Sequence, residues 1–288
     1  TLFRSGLNYG LGFMVIFMLH FTVATKQPAM TAARFAEAVE KTPQGKTVNM
    51  KLAQLLVDVF RSQSIAVLGN VLIAMGLAAL IAFGYQYKTG EPLMNADQIA
   101  YQLHSIDPFA GTLWFAAIAG VWLFCSGIIS GYFDNRSNYL NMRMRLAQHP
   151  LLKKLMSEKT RVKFANYMHE NYGSLIGNLC FGMLLGITGV VGYLTHLPLD
   201  IRHVAFSSAN VGYIAVSGQF TYSLLLQCIS FVLLIGLVNL IVSFSLTLWV
   251  ALRSLNAEID SWWPIWHEVC QIVKKRPLSL FLPIQLDK

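Results

Sequence analysis

Charged residues are scarce in this sequence, since Asp, Glu, Lys and Arg together make up 12% of its 288 residues. Soluble domains carry roughly twice that share. The segment from Phe220 to Leu252 contains none of these four residue types. A helix needs only about 20 apolar residues to cross a bilayer. Such a run excludes an ordinary water-soluble domain and predicts an integral membrane protein.

Paired cysteines are also missing. The four cysteines (Cys125, Cys180, Cys228 and Cys270) are far apart and form no Cys-x-x-Cys motif. This spacing argues against a disulfide framework and against a zinc site. The first three lie in apolar runs, where a reduced and buried thiol is expected. We predict no cofactor and no bound metal.

Motifs for phosphate chemistry and DNA strand exchange are absent as well. Residues 44–47 imitate the end of a phosphate-binding loop, but its first glycine would fall on Glu40, whose carboxylate repels phosphate. None of the 7 histidines has an arginine three positions later, as the His-x-x-Arg of a tyrosine recombinase requires. No predicted span core carries Asp, Glu, Lys or Arg, which coupled transporters often use. The missing motifs argue against an enzyme but do not exclude one.

Basic residues are concentrated in two segments, about 24–63 and about 134–171. The stretches 88–108 and 197–203 contain one Lys or Arg each. Because loops rich in Lys and Arg stay in the cytoplasm, both basic segments are predicted to be cytoplasmic, with the two poor loops outside. Both also have helical patterns. The apolar runs between them predict spans at about 6–23, 65–85, 109–133, 175–194 and 222–252.

The expected fold is therefore all-α, a polytopic transmembrane helix bundle with about five to six spans in a single domain, 1–288. The chain begins TLFRSG, without a Met and without a signal peptide pattern. We therefore expect the complete protein to have a further N-terminal region.

The stretch 203–218 decides the span count and is the predicted working site. A re-entrant segment would leave the last helix ending in the cytoplasm, whereas a short, tilted span would leave it outside. Polar backbone at membrane depth is tolerated only against protein or a water cavity. The predicted polar cavity consists of Asp200, Arg202, His203, Ser207, Ser208 and Asn210.

The same outer region offers a metal-site alternative. His196, Asp200 and His203 could join His104 and Asp107 around a divalent cation. Their spacing matches no established metal motif, and Arg202 would oppose a cation. A structural Asp200–Arg202 pair is the favoured interpretation.

Small residues predict how the helices pack. Glycines spaced four apart allow close backbone approach in lipid, where hydrophobic burial contributes little. The predicted packing positions are Gly127, Gly131, Gly173, Gly177, Gly182 and Gly186. Asn70, Asn178 and Asn239 lie in or near apolar runs, and we expect them to hydrogen-bond across helices.

A helix at about 259–276 is predicted to lie in the cytoplasmic interface. Tryptophans favour the headgroup zone, and basic side chains reach anionic phosphates. The predicted lipid contacts are Trp262, Trp263, Trp266, Lys274, Lys275 and Arg276. Residues 47–60 have a similar amphipathic pattern. Anionic membrane lipids are the predicted partners, while a homo-oligomer or other membrane subunits stay open.

Four strings carry a resemblance to a known family: Ala24–Ala33, Ala116–Arg136, Leu197–Tyr213 and Asn239–Ser254. They resemble the C-terminal membrane part of the bacterial family named site-specific recombinase, and the likeness covers nearly the whole chain. The resemblance implies a multi-pass protein of the bacterial inner membrane. It brings no catalytic residues with it.

Two functions follow as hypotheses. The first is a non-enzymatic transport, lipid-handling or scaffolding module. The alternative is a membrane-anchored DNA recombinase whose chemistry lies in the further N-terminal region. Basic residues between 136 and 163 could attract DNA phosphates, yet the same residues satisfy the positive-inside rule and attract anionic headgroups. Nucleic acid is therefore not an expected partner of this region.

Overall fold

The computed structural model describes residues 2–18, 27–40, 46–218 and 221–282. Every regular element within these ranges is helical, which confirms the predicted all-α class. The helices are α1 (Leu2–Met18), α2 (Gln27–Glu40), α3 (Lys46–Thr89), α4 (Ala96–Ile106), α5 (Thr112–Tyr139), α6 (Met142–Gln148), α7 (Pro150–Leu155), α8 (Glu158–Thr195), α9 (Val204–Ala215), α10 (Tyr222–Ser254) and α11 (Trp263–Lys275), with short 3-10 helices at Pro108–Ala110 and Pro277–Leu280.

Four of the described helices, α3, α5, α8 and α10, are long and apolar enough to cross a membrane. Only 17% of the most apolar window of α3 is buried. On this helix Leu72, Leu77 and Leu80 remain 62%, 58% and 70% exposed. A continuous apolar surface of this kind needs lipid around it. The transmembrane helical class is therefore confirmed, while the number of spans stays a prediction.

Two predicted junctions between cytoplasmic and membrane segments lie inside continuous helices. α3 has 44 residues and joins the amphipathic stretch 47–60 to the span predicted at 65–85. α8 has 38 residues and joins the end of the second basic segment to the span predicted at 175–194. Neither junction contains a proline, so nothing in the backbone interrupts the helical hydrogen bonds.

The predicted outer loop 88–108 contains α4, which the sequence analysis did not predict. Asn95 caps this helix by a reciprocal pair of hydrogen bonds. Its Oδ1 accepts from the backbone N–H of Gln98 at 2.8 Å, and Gln98 Oε1 accepts from the N–H of Asn95 at 3.0 Å. This capping box, with Gln in the third helical position, starts a helix in a short polar stretch.

The first predicted span and the first basic segment are described in part. The apolar helix of the first span ends at Met18. Residues 19–23 of that span, and 24–26 and 41–45 of the basic segment, lie outside the described residues.

The contacts within the chain define two compact units. That the chain forms a single domain stays a prediction. The first comprises Thr1–Ala29 with Trp122–Asp200, and the second comprises Met30–Val121 with Ile201–Lys288. In the first unit, α1 packs against α8, where the rings of Phe13 and Phe181 lie 5.2 Å apart. Both rings are almost fully buried.

The second unit contains two buried clusters. One joins α3, α9 and α10 through side chains that include Val71, Val204 and Val232. The other joins α2, α3, α10 and α11 through Phe35, Leu52, Leu248 and Ile265. The ring of Phe35 stacks on Trp262 at 6.0 Å, and this contact holds the start of α11 against α2.

Candidate functional site

A buried asparagine fixes the beginning of α9 against the middle of α10. Asn239 is 2% exposed. Its Oδ1 accepts from the N–H of Val204 at 3.1 Å, and its Nδ2 donates to the carbonyls of Ala116 at 2.7 Å and Arg202 at 3.0 Å. One amide thereby joins α5, α9 and α10, which confirms the predicted bonding across helices for Asn239. Asn178 Nδ2 donates to the Ser174 carbonyl of its own helix at 2.8 Å. The Asn239 side chain also satisfies one of the free N–H groups in the first turn of α9.

Arg202, a predicted site residue, packs beside this asparagine. Its Nε donates to the Ser105 carbonyl at 2.7 Å, and its Nη1 donates to the Ile201 carbonyl at 2.8 Å. The guanidinium carbon lies 5.7 Å from the ring centroid of Phe115. Carbonyl contacts combined with an aromatic face suit the planar guanidinium better than a lysine ammonium.

Replacing Arg202 by lysine should therefore destabilise the second unit while keeping the charge. We expect the free energy of unfolding in detergent to fall by about 1–2 kcal/mol, because the hydrogen-bonding geometry and the ring contact are lost together. Arg143→Lys at an exposed position is the control and should leave stability unchanged. Equal stability of the two variants would refute a structural role for the guanidinium.

The other predicted polar residues of α9 also have partners within the protein. His203 is buried, and its Nδ1 accepts from the N–H of Ala205 at 3.4 Å. Ser208 Oγ donates to the Val204 carbonyl at 2.6 Å. Asn210 Nδ2 donates to Gln102 Oε1 at 2.7 Å and so connects α9 to α4.

Two further members of the predicted set lie near these residues in the chain. Ser207 is buried within α9. Asp200 is half-buried in the segment before it. The contacts of α9 position this helix, and the cavity predicted beside it stays a prediction.

The predicted packing glycines occupy different environments within the first unit. A Cβ on Gly173 would collide with the Ser130 carbonyl and the Asp134 carboxylate, and one on Gly182 would collide with the backbone of Gly10. A Cβ on Gly131 would meet no atom within 4 Å. Gly127 and Gly186 are buried, and a Cβ on Gly177 would lie 2.9 Å from Cβ of Ser130.

An apolar groove of about 730 Å³ lies between α3, α10 and α11 in the second unit. This volume falls within the range of roughly 300–1,000 Å³ that is typical of small-molecule sites. Aliphatic and aromatic side chains form its walls, among them Phe60, Phe244, Trp249 and Val269, with a hydroxyl from Ser245. Trp249 is 67% exposed, so the groove opens at the surface of the protein.

Two of the predicted interfacial tryptophans, Trp262 and Trp266, line this groove. Trp263 is 78% exposed. Lys274 and Lys275 lie in the last turn of α11, and Arg276 follows as its C-cap. The basic residues are all exposed. That this helix lies in the membrane interface stays a prediction.

Nearly the whole chain matches one protein family. The family model described as site-specific recombinase matches residues 1–283. The chain belongs to the site-specific recombinase family. This confirms the resemblance found in the sequence. No curated protein and no solved structure matches the chain. The family match covers the helices described above and assigns no reaction to any of their residues.

One serine–histidine pair in this recombinase-family chain has the contact distance of a nucleophile and its base. Ser137 Oγ lies 3.1 Å from His169 Nδ1. The residues are 32 positions apart, so no local spacing could have revealed the pair. Ser137 is 0% exposed, and its Oγ also lies 3.6 Å from Met142 Sδ. A hydroxyl so enclosed leaves no room for a substrate, and the pair is best explained as a contact between α5 and α8.

The metal-site alternative is not supported by a cluster of ligands in the described part of the chain. No group of three or more His, Cys, Asp or Glu side chains lies there in an arrangement suited to a metal ion. The four cysteines are free thiols.

Proposed function

We propose that this member of the site-specific recombinase family is a non-enzymatic, lipid-handling protein of the bacterial inner membrane. The groove between α3, α10 and α11 would hold an acyl chain of a membrane phospholipid. The observation that supports this is the groove itself, which is apolar, of ligand size and open beside the exposed Trp249. An apolar groove in a membrane helix bundle is filled most readily by the surrounding lipid.

The proposed topology keeps both basic segments in the cytoplasm and makes α9 re-entrant. α9 has 12 residues and is about 18 Å long, whereas the hydrocarbon core is roughly 30 Å thick. Its first N–H groups are bonded within the protein, as with Asn239, so that its buried end needs no water. This arrangement returns the C-terminal end of α10, with its neighbour α11, to the cytoplasmic side.

Labelling with a photoactivatable phospholipid tests the lipid-binding proposal. A diazirine in the acyl chain should label groove residues such as Phe244 and Val269 when the protein is reconstituted in bilayers. Ser245→Trp places a bulky ring in the groove and should reduce labelling there by roughly 5- to 150-fold, as expected for an overpacking cost of about 1–3 kcal/mol. Labelled peptides are quantified by mass spectrometry.

Ser230→Trp is the matched control, because Ser230 is an exposed serine of the same helix that does not line the groove. Labelling of Phe244 and Val269 should be unchanged in this variant. A groove that stays unlabelled in the unsubstituted protein, or equal labelling in both tryptophan variants, would remove the basis of the proposal.

The alternative function is DNA strand exchange by chemistry outside the described helices, and the family description favours it. The purified protein, with any further residues that belong to the complete chain, can be offered recombination substrates. A covalent protein–DNA species would establish the alternative. Its absence, together with groove labelling by lipid, would leave the lipid-handling function.

A further inference from the structure

Building on the proposed lipid-handling function, we infer that the groove selects an anionic phospholipid. The acyl chain lies between α3, α10 and α11, and the basic cluster Lys274–Arg276 binds the headgroup phosphate. The occupant is a lipid of the surrounding bilayer with a net negative headgroup, such as phosphatidylglycerol.

The position of the basic cluster carries this inference. Val273 and Leu280 both line the groove, and the three basic residues lie between them in the chain. Val273 belongs to the last turn of α11, and Leu280 ends the 3-10 helix Pro277–Leu280. Val273 and Leu280 are seven residues apart in the chain, and the segment between them carries three exposed cations. A molecule with an apolar tail and an anionic head matches both features.

Another helix that lines the groove, α10, also carries a basic residue near its end. Leu252 of α10 lines the groove, and the next residue, Arg253, is exposed. Each basic residue near an anionic lipid surface contributes about a threefold to tenfold preference. Basic residues thus lie at the ends of two different helices that line the groove, α10 and α11. Two exposed acidic residues, Glu258 and Asp260, lie between the lining residues Leu252 and Trp262 and offset Arg253.

The inference therefore rests on the cluster Lys274–Arg276, whose charge the acidic side chains of α3 and α11 do not cancel. Asp58 of α3 accepts from Arg61 at 2.9 Å and from Gln54 at 3.1 Å, so its carboxylate is engaged within its own helix. Glu268 of α11 is half-buried and precedes Lys274 by six residues, which is about 9 Å along a helix. The net charge at the C-terminal end of α11 is therefore positive.

Competitive labelling tests the selection. The reconstituted protein is photolysed in bilayers that contain diazirine-labelled phosphatidylglycerol or diazirine-labelled phosphatidylcholine at equal amounts. We expect phosphatidylglycerol to label Phe244 and Val269 more strongly. Replacing Lys274, Lys275 and Arg276 together by glutamine should lower that preference about 30- to 1,000-fold, while phosphatidylcholine labelling persists. Added glycerol phosphate, which has the anion without the chain, should not compete.

Two variants make the test specific. Lys153→Gln, Lys154→Gln and Lys159→Gln remove three exposed cations outside the groove walls and change the net charge equally. Lys274→Arg with Lys275→Arg keeps the charge, and the preference should remain. An equal loss in both glutamine triples would mean general attraction to the surface and would overturn the assigned headgroup site. Equal labelling by both lipids would overturn the selection alone, whereas no groove labelling by either would overturn the proposed function.

Discussion

Asn239→Ala should be among the most destabilising single substitutions in the second unit. The change removes three hydrogen bonds and leaves the N–H of Val204 and the carbonyls of Ala116 and Arg202 without their shared partner. Hydrogen bonds between membrane helices contribute about 0.6–1.7 kcal/mol each, and an orphaned buried group costs about 1–3 kcal/mol. We expect the free energy of unfolding to fall by about 2–4 kcal/mol. Titration with a denaturing detergent, followed by tryptophan fluorescence, measures it.

Asn138→Ala provides the comparison for this substitution. Asn138 is exposed near the end of α5, and its loss should change stability by less than about 0.5 kcal/mol. Asn239→Asp keeps the acceptor for Val204 but loses both donated bonds, so we expect its stability to fall below that of the unsubstituted protein. If Asn239→Ala unfolds at the same detergent concentration as Asn138→Ala, the bridge between α5, α9 and α10 does not contribute to stability.

The long helices were predictable because hydrophobicity along the chain decides them. The span predicted at 222–252 corresponds to α10, Tyr222–Ser254. The prediction at 65–85 found the apolar half of α3 but missed its continuity with the amphipathic stretch before it. Helical hydrogen bonds do not distinguish a lipid environment from an aqueous one, so a change in hydropathy need not end a helix.

The contacts around α9 could be predicted only in part. Ser208 and Asn210 stand out as polar residues in an apolar stretch, which is visible in the sequence. The partner of Asn210 is not visible, since Gln102 lies 108 positions away in the chain. The bond between Val204 and Asn239, which are 35 positions apart, is not visible either. Pairings at such distances depend on how α4, α9 and α10 pack together.

The groove could likewise be predicted only in part. Trp262 and Trp266 were predicted as lipid contacts from composition and helical spacing. That they line one groove with Phe60 of α3 and Phe244 of α10 depends on the buried cluster that joins α2, α3, α10 and α11. Residue spacing within a single helix indicates which side chains share a face but does not identify the neighbouring helix.

Glycine spacing also does not identify the neighbouring helix. Gly173→Leu tests whether α5 and α8 are in close contact at Gly173, and we expect a large loss of stability. α5 and α8 approach so closely at Gly173 that a side chain there would collide with the Ser130 carbonyl and the Asp134 carboxylate. The backbone N–H of Gly173 also donates to Asp134 Oδ1 at 3.1 Å. Leucine must push the helices apart and break this bond. We expect a loss of about 3 kcal/mol or more in the free energy of unfolding, measured by detergent titration.

Two leucine controls separate close packing from a general intolerance of leucine. Gly189→Leu lies on the same helix, and Gly131→Leu lies on the facing helix within a predicted glycine pair. A Cβ at either position meets no atom within 4 Å. Both controls should retain stability within about 0.5 kcal/mol, and they could gain slightly because glycine is a poor helix former. If Gly173→Leu behaves like these controls, the backbones of α5 and α8 are not in contact at Gly173. A loss at Gly131 as large as at Gly173 would mean that both glycines face a neighbouring helix.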